Sequence, residues 1–535
     1  MPAANPNQSN VTNQKWWNEA IVYQIYPRSF QDSNGDGEGD LPGITSRLEY
    51  IRDLGVDAIW LSPFYTSPNN DGGYDVANPR DVDPRFGDLN DAKVLFQKAH
   101  SLGLKVVVDI VPNHFSAEHP WFKEALNSPK DSPARKRFHF YDGKDAHTPP
   151  NNWISLFGGP AWTQTEDGQW YLHLFDSSQP DLNWENPEVA ADFEETIRFW
   201  LDMGADGFRI DVAHGLAKED IHKDHFDPQG LSDALRLDVL MEPERRNSFL
   251  STIPFFDRDG VHQIYRKWRK LFDSYGQRDV MAVAEIWVHP PERATLYVRP
   301  DELHQFFNFD VMNAPFEAEY LFDSISKMLQ LVKLQDAWPT WCLSNHDCER
   351  VASRIGADAA RAMALFILGL PGSTYIYNGQ ELGLPNGQMD DSDRQDPIYF
   401  RTKGAQKGRD GARVPIPWDG KVPPFGFTTG KPWLPLQREW AEFTVARQLE
   451  DSGSSLNLYK RALKLRREFF VGSGEITLHN QDQILSYRRG DIQVVMNTSG
   501  SSLPIPPGEV ILASHEVIDA LPAKSTVWLR LNQQS

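Results

Sequence analysis

The sequence predicts a (β/α)8 barrel with a small domain inserted after the third strand and an antiparallel β domain at its C-terminus. Three observations predict it. Eight short runs are apolar nearly throughout, as strands buried on both faces of a parallel sheet must be. Stretches with apolar residues three or four apart separate them, as helices packing one face against that sheet require. Carboxylates and histidines stand where several of the runs end, the place where a barrel carries its active site. Periodicity alone leaves an open, doubly wound sheet as the alternative.

The runs are AIVYQIYP (20–27), AIWLSP (58–63), KVVVDIVP (105–112), FRIDV (208–212), VMAVAEIW (280–287), HQFFNFD (304–310), TWCLSN (340–345) and STYIYNG (373–379). Between the second and third, Leu89, Ala92, Phe96, Ala99 and Leu102 keep helical spacing, with Asp88 as the start and Gly103 as the stop. Val189, Phe193, Ile197, Trp200 and Leu201 repeat the pattern between Asn186-Pro187 and Gly204. Residues 115–181 are too long for a simple connection, are rich in Pro, Gly, Asn and Trp, and contain the strand-like QWYLHLF. They read as an inserted domain. The connections 214–258 and 382–450 are also long, and loops of that kind shape a pocket at the barrel mouth. After a helix over 456–469 the pattern changes to short alternating runs, ILSYRR, IQVVMN, EVILA and TVWLRL, which predict antiparallel strands. The expected division is a barrel of 16–114 and 182–469, an insert of 115–181 and a β domain of 470–535.

Composition narrows the function. The 535 residues hold 54 Lys and Arg against 74 Asp and Glu, a net charge of −20 that excludes a general nucleic-acid binder and a peripheral anchor on anionic lipid. Two cysteines, Cys342 and Cys348, exclude a disulfide scaffold and a cysteine-based zinc site, and read as free thiols of a reducing compartment. The stretch MPAANPNQSNVTNQKWW lacks the apolar core of a secretory signal, and no run approaches ~18 uninterrupted apolar residues. The expectation is a cytoplasmic protein without membrane partners, in which the sequon Asn10-Val11-Thr12 is a chance match. The 17 Trp, 16 Tyr and 30 Phe suit a large core, and equally a site where rings stack on sugars.

The chemistry sits at the strand ends. Asp211 closes the fourth run, with Arg209 two residues earlier and therefore on the same face. Glu285 closes the fifth run, His346 and Asp347 follow the seventh, and Asn113 and His114 follow the third. Each alone could be an ion pair or a cap. Three carboxylates from three strands converge on one mouth, and two carboxylates flanking a bond, in a site that can stabilise cationic character, are what glycosidic cleavage needs. A second constellation is DSNGDGEGD, which places Asp32, Asn34, Asp36, Glu38 and Asp40 at every second residue with glycines between. Oxygen donors so spaced can wrap a hard cation, as in the first part of an EF-hand loop, although the twelfth position here is Gly43.

In order and spacing, DIVPNH (109–114), GFRIDVAH (207–214), AEIW (284–287), SNHD (344–347), GGYD (72–75), QPDLNW (179–184) and GQELG (379–383) resemble the motifs of the α-amylase family, glycoside hydrolase family 13. Over nearly the whole chain the likeness is greatest to the oligo-1,6-glucosidase and α-glucosidase branch. The resemblance implies that Asp211 is a nucleophile, Glu285 the general acid/base, and Asp347 the third carboxylate gripping sugar hydroxyls. It implies that Arg209 orients Asp211 and keeps it ionised, that His114 and His346 bond the bound glucose, and that the anomeric configuration is retained. Asp75 in GGYD and Arg413 in GRDGARVPIPW resemble the pair that closes the far wall of the pocket and makes the enzyme exo-acting. Tyr74 resembles the platform under that glucose, while Phe157 and Phe175 of the insert line the pocket or belong to the core. The branch carries a structural Ca2+ or Mg2+ and no organic cofactor; the side chains of Asp32, Asn34, Asp36 and Asp40 and the Glu38 carbonyl would hold the ion.

Val212 follows the nucleophile position. In this branch Val accompanies α-1,6 preference and Thr, Ala or Gly α-1,4. Ala213-His214-Gly215 and Asn78, where oligo-1,6-glucosidases usually have Tyr, point the other way. The expected activity is therefore that of a retaining, exo-acting α-glucosidase on short, maltose-type substrates, with transfer to acceptor sugars or alcohols. An oligo-1,6-glucosidase, a transglucosylase or isomerase on sucrose or trehalose, and an endo-acting amylase are the alternatives. A non-catalytic scaffold, like the transporter heavy chains built on this barrel, is disfavoured by three intact carboxylates and the lack of a membrane helix.

Overall fold

The eight apolar runs form eight parallel strands: β1 (Ile21–Ile25), β2 (Ala58–Leu61), β3 (Lys105–Ile110), β4 (Gly207–Ile210), β5 (Met281–Ala284), β6 (Gln305–Phe306), β7 (Thr340–Cys342) and β8 (Ser373–Tyr377). The structure is a computed structural model that describes residues 15–235, 242–472, 474 and 476–531; the sequon at Asn10 lies outside them. Except for Lys105, every residue of these strands is buried, which is why the runs show no polar alternation. The sheet order is β6-β5-β4-β3-β2-β1-β8-β7. β6 and β7 meet at the seam, where the Thr340 hydroxyl donates to the Phe306 carbonyl, so the sheet is nearly closed into a barrel.

Strand ends decide where chemistry can sit. β4 stops at Ile210 and β5 at Ala284, so Asp211 and Glu285 are the first residues beyond each strand. The sixth run shrinks to two strand residues. Asn308 Oδ1 accepts from Val311 N at 3.4 Å and starts a short helix, Phe309–Met312, where the sequence alone read strand.

Around the barrel lie α1 (Leu48–Leu54), α2 (Leu89–Ser101), α3 (Pro187–Met203), α4 (Gly260–Asp273), α5 (Ala318–Lys333), α6 (Ala357–Leu368) and α7 (Ser455–Phe469). The expected punctuation holds. Asp88 and Asp91 form a reciprocal capping box at the start of α2, an arrangement worth about 1 kcal/mol. α3 has Pro187 in its first turn and an Asn186 cap, and it ends on Gly204. Val189, Phe193, Ile197, Trp200 and Leu201 form its buried face, as their spacing requires.

Between β3 and α3 the insert forms a three-stranded antiparallel sheet, ordered Phe140–Asp142, Gln169–Leu172, Trp162–Gln164. His114 pairs with Asp181 and Phe138 with Leu182, so the chain leaves and returns beside the end of β3 and overhangs the mouth. After α7, five antiparallel strands, β9 (Leu478–Gln481), β10 (Ile484–Arg489), β11 (Ile492–Asn497), β12 (Glu509–Ala513) and β13 (Ser525–Arg530), are ordered β9-β10-β11-β13-β12. This sheet seats on the C-terminal half of α6. Tyr487 donates to the Phe366 carbonyl at 2.6 Å, Thr526 to that of Ala362 at 2.7 Å and Trp528 to that of Leu365 at 3.1 Å. Cys342 and Cys348 are free and buried. Among the described residues no helix is long and apolar enough to cross a membrane.

Candidate active site

Arg209 is the hub of the site. It is 1 % exposed and points up the barrel axis from β4, where two strand positions place it on the same side as Asp211. Its guanidinium contacts Asp211 Oδ1 directly, lies 3.0 Å from Asp109 Oδ1 and reaches to 3.7 Å from Glu285 Oε2. Trp60 and Tyr74 lie beside it, with ring centroids 5.2 and 5.6 Å away. Asp109, fully buried in β3, also accepts from the Tyr74 hydroxyl at 3.1 Å and the Trp60 indole at 3.2 Å. Burial nonetheless pushes its carboxyl up to about 6. As the one carboxylate in the apolar run KVVVDIVP, Asp109 carried a signal that the sequence reading passed over.

Glu285 is held by two donors. The Val212 amide reaches Oε2 at 2.6 Å and the Trp287 indole reaches Oε1. Val212 sits at φ 42°, which a β-branched residue rarely adopts and which costs about 1–3 kcal/mol. That strain aims its N–H at Glu285, and the next amide, of Ala213, donates to the Glu285 carbonyl at 2.9 Å. Burial drives the carboxyls of both Asp211 and Glu285 above the ordinary range, and Arg209 opposes this at both. The expectation that Arg209 simply keeps Asp211 ionised is therefore only half of the balance, since Glu285, Asp109 and Asp347 add repulsion. Two such coupled acids titrate as a pair. Direct contact with the guanidinium favours the anion on Asp211, while the Val212 and Trp287 N–H groups favour it on Glu285.

Asp347 completes the set from the end of β7. Burial opposes its ionisation, but His346, Arg409 and Arg413 outweigh that and hold its carboxyl well below the usual range. Arg413 Nη2 donates to Oδ1 at 2.9 Å and Arg409 Nη1 to the same oxygen at 3.1 Å. Burial lowers the His346 ring to about 3, so it is neutral at physiological pH. The Gln24 amide lies 2.8 Å from its Nδ1, which makes Nδ1 the acceptor and puts the ring proton on Nε2, 3.2 Å from Asp347 Oδ2. Tyr74 stacks on His346 at 5.1 Å with planes 7° apart.

The wall attributed to Asp75 and Arg413 is built differently. Asp75 is fully buried, and its carboxylate is taken by the Ser67 hydroxyl at 2.9 Å and the amides of Asn70 and Asp71 at 2.8 and 3.1 Å. It folds the turn and makes no pair with Arg413. Arg413 reaches Asp347 instead, passing over Gly72, where a Cβ would stand 2.8 Å from its Nη1. The ion pair at this end of the cleft joins Asp71 and Arg409 at 2.6 Å. Neither residue was singled out in the sequence.

The remaining residues gather around this end. His114 is fully buried and sits 3.1 Å from the Gln179 amide, which also donates to Asp71 at 3.0 Å. Its ring lies 5.2 Å from Phe175. Phe175 packs on Phe157 at 5.5 Å, and the Arg409 guanidinium stands 5.1 Å from the Phe157 ring. Phe175 also packs against the apolar core of the insert around Trp162, Leu172 and Leu174.

The Asp32–Asp40 loop is a chain of side-chain turns. Asp32 accepts from the amides of Asn34, Gly35 and Gly37, Asn34 from Asp36, Asp36 from Glu38, and Asp40 from Ser33 and Gly43. The Glu38 carboxylate is committed to Arg28 at 2.6 Å, which leaves its carbonyl as the available donor. Among the described residues no three His, Cys, Asp or Glu side chains converge as metal ligands. The expected trio of aspartate side chains, Asp32, Asp36 and Asp40, is therefore not gathered on one point, and at most two carboxylates of the loop could share a cation with Asn34 and backbone oxygen.

The buried histidines give a testable pH dependence. Burial lowers His114 and His173 to about 4, and His119, His214 and His346 to about 3. An unfolded histidine titrates near 6.5, so between these values the unfolded chain binds more protons. The stability linked to these rings is complete above pH ~6.5 and is lost as pH falls towards 4. The melting temperature should fall steadily over that interval; a flat profile would contradict buried, neutral rings.

Comparison with known proteins gives one consistent answer. The description "Alpha amylase, catalytic domain" matches residues 24–472. An oligo-1,6-glucosidase of Parageobacillus thermoglucosidasius is 36% identical over 531 residues, covering 91% of this chain and 90% of its own. A probable α-glucosidase of Rhizobium meliloti (strain 1021) is 39% identical over 481 residues, covering 84% and 82%. Among solved structures, an α-glucosyl transfer enzyme superposes with TM-score 0.85 at 35% identity, covering 97% of this chain and 100% of its own. The trehalulose synthase MutB from Pseudomonas mesoacidophila MX-45 gives 0.86 at 30% identity with the same coverage.

Proposed function

We propose that this chain, which belongs to the α-amylase family and is a glycoside hydrolase, is a retaining, exo-acting α-glucosidase. In this reading Asp211 attacks the anomeric carbon of the terminal glucose while Glu285 protonates the departing oxygen. Water, activated by the now anionic Glu285, then releases glucose from the covalent intermediate. The observation that carries the reading is that one guanidinium, Arg209, contacts Asp211 and lies 3.7 Å from Glu285. Sharing one guanidinium gathers the two carboxylates on one side of the barrel mouth, and the anomer of the first product decides between direct attack and attack by water.

Asp347 would grip the hydroxyls of the bound glucose between Arg409 and Arg413, and His346 would donate from Nε2. The Asp71–Arg409 pair would block extension beyond one glucose, which supports exo-action on short chains. Products from maltose, isomaltose, sucrose, trehalose and starch test this. Release of single glucose units from chain ends is expected, and mixed oligosaccharides from the interior of starch would overturn the closed pocket. Transfer to sugar or alcohol acceptors is a second reading, favoured by the likeness to an α-glucosyl transfer enzyme and a trehalulose synthase.

For linkage, the reading remains a preference for maltose-type substrates. Val212 is buried, its amide bonds Glu285 and its side chain joins the apolar cluster of Trp153, Phe255 and Phe256, so a change there would be felt beside both carboxylates. Val212→Thr should change the ratio of maltose to isomaltose hydrolysis by roughly tenfold or more, the usual worth of a methyl-sized change in a pocket. An unchanged ratio would move the determinant to the loop 214–258.

A structural Ca2+ or Mg2+ in the Asp32–Asp40 loop is part of the proposal. A ligand that binds only the folded state adds stability as its concentration exceeds Kd. Chelator should lower the melting temperature, added cation should restore it, and Asp36→Ala should remove the response. No step above uses the ion, so activity of the folded protein should persist on chelation. Immediate loss of activity with the fold intact would contradict a structural role.

A further inference from the structure

Asp396 lies in the long connection after β8, is 2 % exposed, and contacts neither Asp71 nor Asp347. Its carboxylate has four N–H partners: the backbone amides of Ile398 at 3.0 Å and Arg409 at 2.5 Å, Arg409 Nε at 2.7 Å and Arg409 Nη2 at 3.0 Å. Three of the four come from one arginine. The backbone is moulded to this contact, for Gly408 stands at φ +71° and a Cβ there would lie 2.7 Å from Asp396 Cβ and 2.8 Å from its Cγ. The other contacts of the Arg409 guanidinium are Asp71 at 2.6 Å and Asp347 at 3.1 Å. A guanidinium is planar and rigid, so fixing its Nε edge fixes where its two terminal nitrogens point. Asp396 also caps the short helix Pro397–Arg401, whose Arg401 donates to the Gly158 carbonyl at 2.7 Å, beside Phe157.

We infer that Asp396 is the positioning residue of the closed pocket end: it aims Arg409 at Asp71 and Asp347 and ties that wall to the insert above it. The inference rests on the proposed closed glucose pocket and adds to it the residue that sets its affinity. Asp396 acts on substrate only through Arg409.

The test measures KM and kcat on maltose and competitive inhibition by glucose, in wild type, Asp396→Asn, Asp396→Glu and Gly408→Ala. Loss of one charge-assisted contact set should raise KM and the glucose Ki together by about tenfold or more in Asp396→Asn, with a much smaller change in kcat. Asp396→Glu, which keeps the charge, should recover most of both. Gly408→Ala keeps the carboxylate but displaces it, and should raise KM and Ki in the same sense even if the Asn variant fails to fold. Unchanged KM and Ki in the variants, or a loss confined to kcat, overturns the inference. If glucose does not inhibit the wild type competitively, the closed pocket itself is wrong, a result distinct from any seen in the variants, and the inference falls with it.

Discussion

Asp211→Asn should abolish turnover of every α-glucoside, by on the order of 10^4-fold or more, while the protein stays folded. An amide cannot form the glucosyl ester, so the first displacement has no nucleophile. The fold survives because Arg209 keeps Asp109 at 3.0 Å and its ring neighbours, and so is not left as an unpaired buried charge. Glu285→Gln loses most activity on natural sugars but far less on aryl glucosides, whose leaving group needs no proton. Steady-state rates on maltose and on an aryl glucoside, alongside thermal melts, check both variants. Comparable rates of Asp211→Asn and wild type would remove Asp211 from the reaction.

Arg409→Ala has the second largest expected effect. It leaves Asp71 and Asp396, both almost fully buried, without the cation that neutralises them. Breaking a buried pair by removing one partner costs about 3–5 kcal/mol, and that cost falls on glucose binding and on stability together. kcat/KM on maltose should drop by roughly 10^2- to 10^3-fold. Adding Asp71→Asn should restore part of the lost melting temperature, since one uncompensated charge is gone. Asp75→Asn serves as the contrast. Its carboxyl only ties a turn, so it should lower stability and leave the glucose Ki near that of wild type. The reverse pattern would restore Asp75 to the wall.

The barrel was legible because burial on both faces leaves unbroken apolar runs, and only the sixth misled, where the Asn308 cap turns apolar residues into a helix. That Asp211, Glu285 and Asp347 gather was legible because each follows such a run, although any one alone could have been an ion pair or a cap. The pocket end was not. Asp71 and Asp75 sit four apart in one glycine-rich turn, and Arg409 and Arg413 four apart in another. Which aspartate meets which arginine depends on a contact spanning 338 residues, and on a turn that consumes the Asp75 oxygens with its own amides. Local spacing carries no trace of either. Trp287 was quoted within AEIW, yet its hold on Glu285 depends on how the chain turns after β5.

The most direct test of the central claim follows the first product by proton NMR, as enzyme is added to maltotetraose and, separately, to isomaltotetraose. The account predicts that glucose appears first in the α form, before mutarotation, together with the trisaccharide, and faster from maltotetraose. β-Glucose as the first anomer would contradict the double displacement at Asp211, and a disaccharide as the first product would contradict the pocket closed by Asp71 and Arg409.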